Sequence, residues 1–136
     1  VDYSFIEARI HALMATHEVV EVAVDPWNAR PLLAKLAQDQ VPAIAVAQTM
    51  AGLTAASKEL ERRILSRTLR HDGHPILRWC VGNTVADVDG NGNLKPSKKR
   101  SHERIDGVSA LVTALARALV QTKTTSAYEE HRLVVV

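Results

Sequence analysis

Apolar residues along this chain fall alternately at helical spacing and in short unbroken runs, and that alternation predicts the elements. Phe5, Ile6, Ile10, Leu13 and Met14 share one helical face behind a Ser4/Glu7 capping-box pattern, which predicts a helix from about Ser4 to His17. Val19, Val20, Val22, Ala23 and Val24 form a β-branched run that reads as a strand covered on both faces and ending at Asp25-Pro26. Leu32, Leu33, Leu36 and Ala37 restore helical spacing over about Asn28 to Gln38, and a second apolar run follows Pro42, from Ala43 to Val46. Strand, helix and strand in that order predict a right-handed βαβ unit.

The second half continues with an amphipathic helix carrying Leu53, Ala56, Leu60 and Ile64 on one face. His71-Asp72-Gly73-His74-Pro75 reads as a turn leading into a short helix through Trp79. Thr84, Val85 and Val88 look extended, and Asp89-Gly90-Asn91-Gly92 predicts a hairpin before Leu94. Ile105, Val108, Leu111, Val112, Leu115 and Leu119 mark a long last helix from about Glu103 to Val120. Thr122 to Ser126 reads as a loose polar segment, and Leu133 to Val136 as a short strand or tail. The order predicts an α/β fold with a mostly parallel sheet flanked by helices and a β-hairpin ahead of the last helix.

Composition narrows the picture. With 136 residues, 46% hydrophobic and 24% charged, the chain fits one compact domain and excludes collagen-like, mucin-like and wholly disordered classes. Only 4% of the residues are aromatic, so Ala, Leu and Val must fill the core. The single cysteine, Cys80, excludes an internal disulfide and reads as a small buried hydrophobe in a reducing compartment. No apolar run reaches the ~20 residues of a membrane span, and the first residues lack the order of a signal peptide.

Formal net charge is only +2, but Lys95, Lys98, Lys99, Arg100 and Arg104 crowd one stretch. That stretch reads either as a solvated linker or as a set of phosphate contacts giving salt-sensitive, sequence-independent affinity for DNA. Asp25 ends a strand, where α/β folds build their sites, or simply starts a turn ahead of Pro26. Asp106 sits in the first turn of the last helix, where the dipole alone favours a carboxylate. Two such acids from distant elements suit Mg2+ or Mn2+, hard ions that take oxygen ligands. A phosphodiester hydrolase uses these ions in pairs about 4 Å apart, for which two Asp residues are thin provision. Glu103, one turn before Asp106, is a further donor or a solvent-facing residue.

Other patterns resolve more simply. Asp87 to Gly92 matches the opening of a calcium loop, but its closing position is Lys98, so the stretch is read as a hairpin turn. The six histidines lack the His-Glu-x-x-His spacing, and His71 with His74 reads as a surface turn.

Several segments in order resemble the C-terminal nuclease domain of tailed-phage large terminase subunits. They are Val22 to Ala29 with Asp25-Pro26-Trp27-Asn28, Thr54 to Leu65 with Lys58-Glu59-Leu60-Glu61, Leu69 to Trp79, and Gly92 to Pro96 leading to Arg104-Ile105-Asp106-Gly107. The resemblance implies an RNase H-like fold over residues 1–122, followed by a C-terminal tail over 123–136. It implies a Mg2+- or Mn2+-dependent endonuclease that cuts double-stranded viral DNA during packaging in the host cytoplasm, with the small terminase subunit and the portal as partners. Asp25 and Asp106 match its metal-binding acids, Trp27 and Asn28 flank that site, and Lys58, His71 and Asn83 match positions near it. The hairpin from Thr84 to Lys95 matches a family element near DNA.

Two departures qualify these expectations. The family's first catalytic Asp lies on a strand preceding the opening helix, at which this chain begins, and no phosphate loop of the ATPase motor is present. Weak metal binding and little or no cleavage by this polypeptide alone are therefore expected, with an exposed sheet edge open to self-association. A non-catalytic, prophage-derived α/β module that binds DNA or self-associates is the alternative, and a resolvase or transposase is a third reading.

Overall fold

The computed structural model describes residues 2–129, with side chains described as far as residue 121. The elements run α1 (Ser4–Met14), β1 (Val22–Val24), α2 (Arg30–Gln38), β2 (Ala43–Ala45), α3 (Met50–Leu65), α4 (Pro75–Asn83), β3 (Ala86–Val88), β4 (Leu94–Pro96) and α5 (Asp106–Glu129). This is the α/β order expected, hairpin included. Among the described residues the strands pair two by two: β1 with β2 in parallel, and β3 with β4 antiparallel, in separate two-stranded sheets. The chain divides into two compact units, residues 1–47 and 48–136.

In the first unit β1, α2 and β2 form the βαβ segment, with Val22 opposite Ala43 and Val24 opposite Ala45. Leu32, Leu36 and Val41 make its buried core, and Tyr3, Ile10, Met14, Val22 and Ala43 pack around them. The expected strand is shorter than the apolar run: Val20 is exposed, and β1 is half-buried rather than covered on both faces. A run of β-branched residues specifies extended backbone, but pairing extends only as far as a partner strand is available.

The Ser4/Glu7 capping box does not form. Tyr3 is the N-cap and makes no side-chain cap. Instead Asp2 Oδ1 accepts a hydrogen bond from the Ser4 N–H at 2.9 Å. The helix also stops at Met14 rather than His17, where the Thr16 hydroxyl bonds back to the carbonyls of Ala12 and Leu13. A hydroxyl that satisfies the last turn's carbonyls competes with continuing the helix.

In the second unit α3 packs against α5 and β4, and α4 against α5. Leu53, Ala56 and Leu60 are buried along α3, whereas Ile64, one turn further on, is exposed. Ile105 and Val112, each 1% exposed, anchor the start of α5. The Thr49 hydroxyl caps α3 by accepting from the Gly52 N–H at 3.1 Å. Cys80 is buried on α4, as expected of a small hydrophobe.

Helix α4 runs on from Trp79 to Asn83, and α5 begins at Asp106 and continues to Glu129, so the segment Thr122 to Ser126, expected to be loose, is helical. Leu133 to Val136 lie outside the described residues.

Candidate functional site

The candidate site residues divide between the two units. In the first, Asp25 follows β1 directly, and its Oδ1 accepts the Trp27 N–H at 3.0 Å in an Asx-type turn. Asn28 takes a left-handed backbone (φ 56°), which an Asn tolerates, and its carbonyl accepts the Tyr3 hydroxyl at 2.7 Å. Asp25, Trp27 and Asn28 are all exposed, so the turn presents a carboxylate beside an aromatic face.

In the second unit Asp106 opens α5 and faces a shallow groove of about 400 Å³ lined by Lys98, Ser101, His102, Glu103, Arg104 and Ile105. Lys98 Nζ donates to Asp106 Oδ1 at 2.8 Å, and both side chains are largely exposed. The Lys98 hydrogen bond, reinforced by the charges of Lys98 and Arg104, holds the Asp106 carboxyl below its ordinary value against partial desolvation. Glu103 lies in the bend before α5 rather than in its first turn, exposed on the same groove. His102, which the sequence reading did not single out, also lines it; its only signal was its place within the basic stretch.

The basic residues do not act alike. Lys95 Nζ donates to the Gln48 carbonyl at 2.8 Å, and the Arg100 guanidinium donates to the Ala86 carbonyl at 3.2 Å and lies 3.8 Å from Asp87. These two cations brace the fold around the hairpin. Lys98 pairs with Asp106, while Lys99 and Arg104 are exposed. The serines between them tie the basic loop to the hairpin: Ser97 N–H donates to the Val85 carbonyl at 2.9 Å, and Ser101 Oγ accepts the Val85 N–H at 3.0 Å.

Asp89 organises the hairpin. Its carboxylate accepts the Asn91 and Asn93 N–H groups, each at 2.9 Å, and the Asn93 side-chain amide at 2.8 Å. With those oxygens committed, and Asp87 facing Arg100, the turn is not a calcium loop. Lys58 is exposed on α3, and its charge adds to the bonds from Asn93 and Asn91 in holding the Asp89 carboxyl low. His71 Nδ1 accepts the Gly73 N–H at 3.0 Å and His74 Nδ1 the Ile76 N–H at 3.3 Å, which makes both histidines turn and cap residues. Asn83 ends α4 with its amide nitrogen buried and without a partner among the described residues.

The donor chemistry at Asp106 suits a hard divalent ion, because Mg2+ is commonly held by one or two carboxylates with water and substrate phosphate completing its shell. Among the described residues no group of three or more His, Cys, Asp or Glu side chains forms a closed metal cage.

The chain carries a parallel βαβ segment, a hairpin and an acidic helix start in a basic groove. The model of the terminase large subunit endonuclease domain matches residues 1–122, and the chain belongs to that family. Protein YmfN of Escherichia coli (strain K12) is 35% identical over 125 residues, which cover 90% of this chain and 28% of that protein. The large terminase subunit of Enterobacteria phage HK97 is 30% identical over 124 residues, covering 87% of this chain and 24% of the subunit. The crystal structure of the HK97 large terminase superposes with a TM-score of 0.77 at 30% identity, over 86% of this chain and 25% of that one. The chain thus spans about a quarter of the length of these relatives. Among the described residues no helix is long and apolar enough to cross a membrane.

Proposed function

We propose that residues 1–122 form a metal-dependent endonuclease domain of phage DNA packaging that hydrolyses phosphodiester bonds of double-stranded DNA in the host cytoplasm, with 123–136 as a C-terminal extension into which α5 continues as far as Glu129. The observation that carries this reading is the family match over residues 1–122 together with an ionised Asp106 at the head of α5 in a groove lined by cations. The small terminase subunit and the portal are the packaging partners that membership suggests.

Asp25 and Asp106 are the metal-binding carboxylates of this reading, with Glu103 as an auxiliary oxygen donor. When bound, Mg2+ or Mn2+ supplies the acidity that activates water for in-line attack and stabilises the leaving oxygen. The chain's own residues hold the substrate: Lys99 and Arg104 offer positive charge to DNA phosphates, an affinity that weakens as salt rises. Trp27 and Asn28 flank Asp25 in sequence, and Lys58, His71 and Asn83 are further candidates for the neighbourhood of the site by resemblance to the family.

The test is Mn2+-dependent nicking of supercoiled plasmid by this chain. The expected result is nicking that is lost in Asp25→Ala and in Asp106→Ala. Cleavage that survives Asp106→Ala overturns the assignment. The exposed cations at the groove favour one second reading, a module that binds DNA without cutting it, and salt-sensitive binding with no nicking would select it.

A further inference from the structure

The Lys98–Asp106 pair places an ammonium where the proposed metal must bind. A carboxylate at the head of a helix is already favoured by the dipole and needs no partner, yet Lys98 reaches it at 2.8 Å from eight residues away in the chain. Both side chains are largely exposed, so the pair is readily broken and rests on no rigid packing. Lys95 and Arg100, by contrast, are committed to the carbonyls of Gln48 and Ala86.

We propose that Lys98 is a displaceable competitor for the site: its ammonium is bonded to the Asp106 carboxylate and must leave that oxygen for a divalent ion to bind. This rests on the reading of Asp106 as a metal ligand. Lys98 is thereby a positioning residue that sets metal affinity by competition.

The experiment titrates Mn2+ alone into this chain at physiological ionic strength and follows binding by calorimetry and by the spin-resonance signal of free Mn2+. Lys98→Met is expected to bind Mn2+ about three- to fivefold more tightly, the scale of one exposed ion pair. Lys98→Arg, which keeps the competing charge, is expected to bind no more tightly than the unaltered chain. Lys99→Met, which removes the adjacent charge, is expected to shift affinity by less than about twofold, and Asp106→Asn to abolish the gain from Lys98→Met. Equal affinities for Lys98→Met and the unaltered chain, or an equal gain in Lys99→Met, overturn the proposal while leaving Asp106 a ligand. Binding unaffected by Asp106→Asn in every background removes Asp106 from the site and overturns the parent reading as well.

Discussion

Ser101 Oγ accepts the Val85 N–H at 3.0 Å while donating to the Ser97 carbonyl at 2.7 Å, so one hydroxyl joins the start of the hairpin to the basic loop ahead of α5. Ser101→Ala leaves a half-buried N–H without its acceptor. The expected loss is about 1–2 kcal/mol, the cost of an unsatisfied buried donor. Urea unfolding checks it, and an unchanged midpoint would show that water replaces the hydroxyl at no cost.

Asp89 closes the hairpin turn with hydrogen bonds to two backbone N–H groups and one amide. Asp89→Ala is expected to cost about 1–3 kcal/mol, and Asp89→Asn less, because the amide oxygen can still accept. Amide hydrogen exchange gives the local readout: protection of the Asn93 N–H should fall in Asp89→Ala before that of the α3 core.

Glu59 accepts from Arg62 at 2.7 Å and from Arg63 at 2.6 Å, and these bonds hold its carboxyl at about 2, well below its ordinary 4.5. A carboxyl depressed in the folded state stabilises the fold fully above its unfolded value and loses that contribution as protons bind the native form. The stability difference between the unaltered chain and Glu59→Gln should therefore be constant above about pH 5 and shrink between about 4.5 and 2. Denaturant titrations across that window check it. A difference that widened on acidification would mean that the arginines do not hold this carboxylate.

Gly107, beside Asp106, lies where a Cβ would meet Cys80 Sγ and Leu77 Cδ1 at 3.4 Å. Gly107→Ala fits at that distance with only slight adjustment and is expected to stay within about 1 kcal/mol, since the gain in helix propensity offsets crowding. Gly107→Leu is expected to cost about 1–3 kcal/mol by overpacking the α4–α5 contact. Thermal melts distinguish the two, and a Leu variant as stable as the glycine protein would show that this contact is loose.

Local rules account for much of what was legible beforehand. The 3.6-residue spacing located α2, α3 and α5, the Asp-Gly-Asn-Gly turn located the β3–β4 hairpin, and Pro75 marked the start of α4. These signals depend on backbone sterics and on side chains a few residues apart, and so survive without knowledge of the remaining chain. Asp25 at the end of β1 and Asp106 at the head of α5 were legible for the same reason.

Pairing was not legible, because it depends on which distant groups the folded chain brings within bonding reach. Five clustered cations looked alike in sequence, yet Lys95 spans 47 residues to the Gln48 carbonyl, Arg100 turns back to Ala86 and Asp87, and Lys98 reaches Asp106. The limits of β1 were set by the extent of β2, and the start of α1 by Asp2 rather than Ser4. Periodicity and turn chemistry are enthalpic and steric properties of short segments, whereas a long-range bond forms only after chain entropy has been spent to bring its partners together, and that expenditure belongs to the fold as a whole.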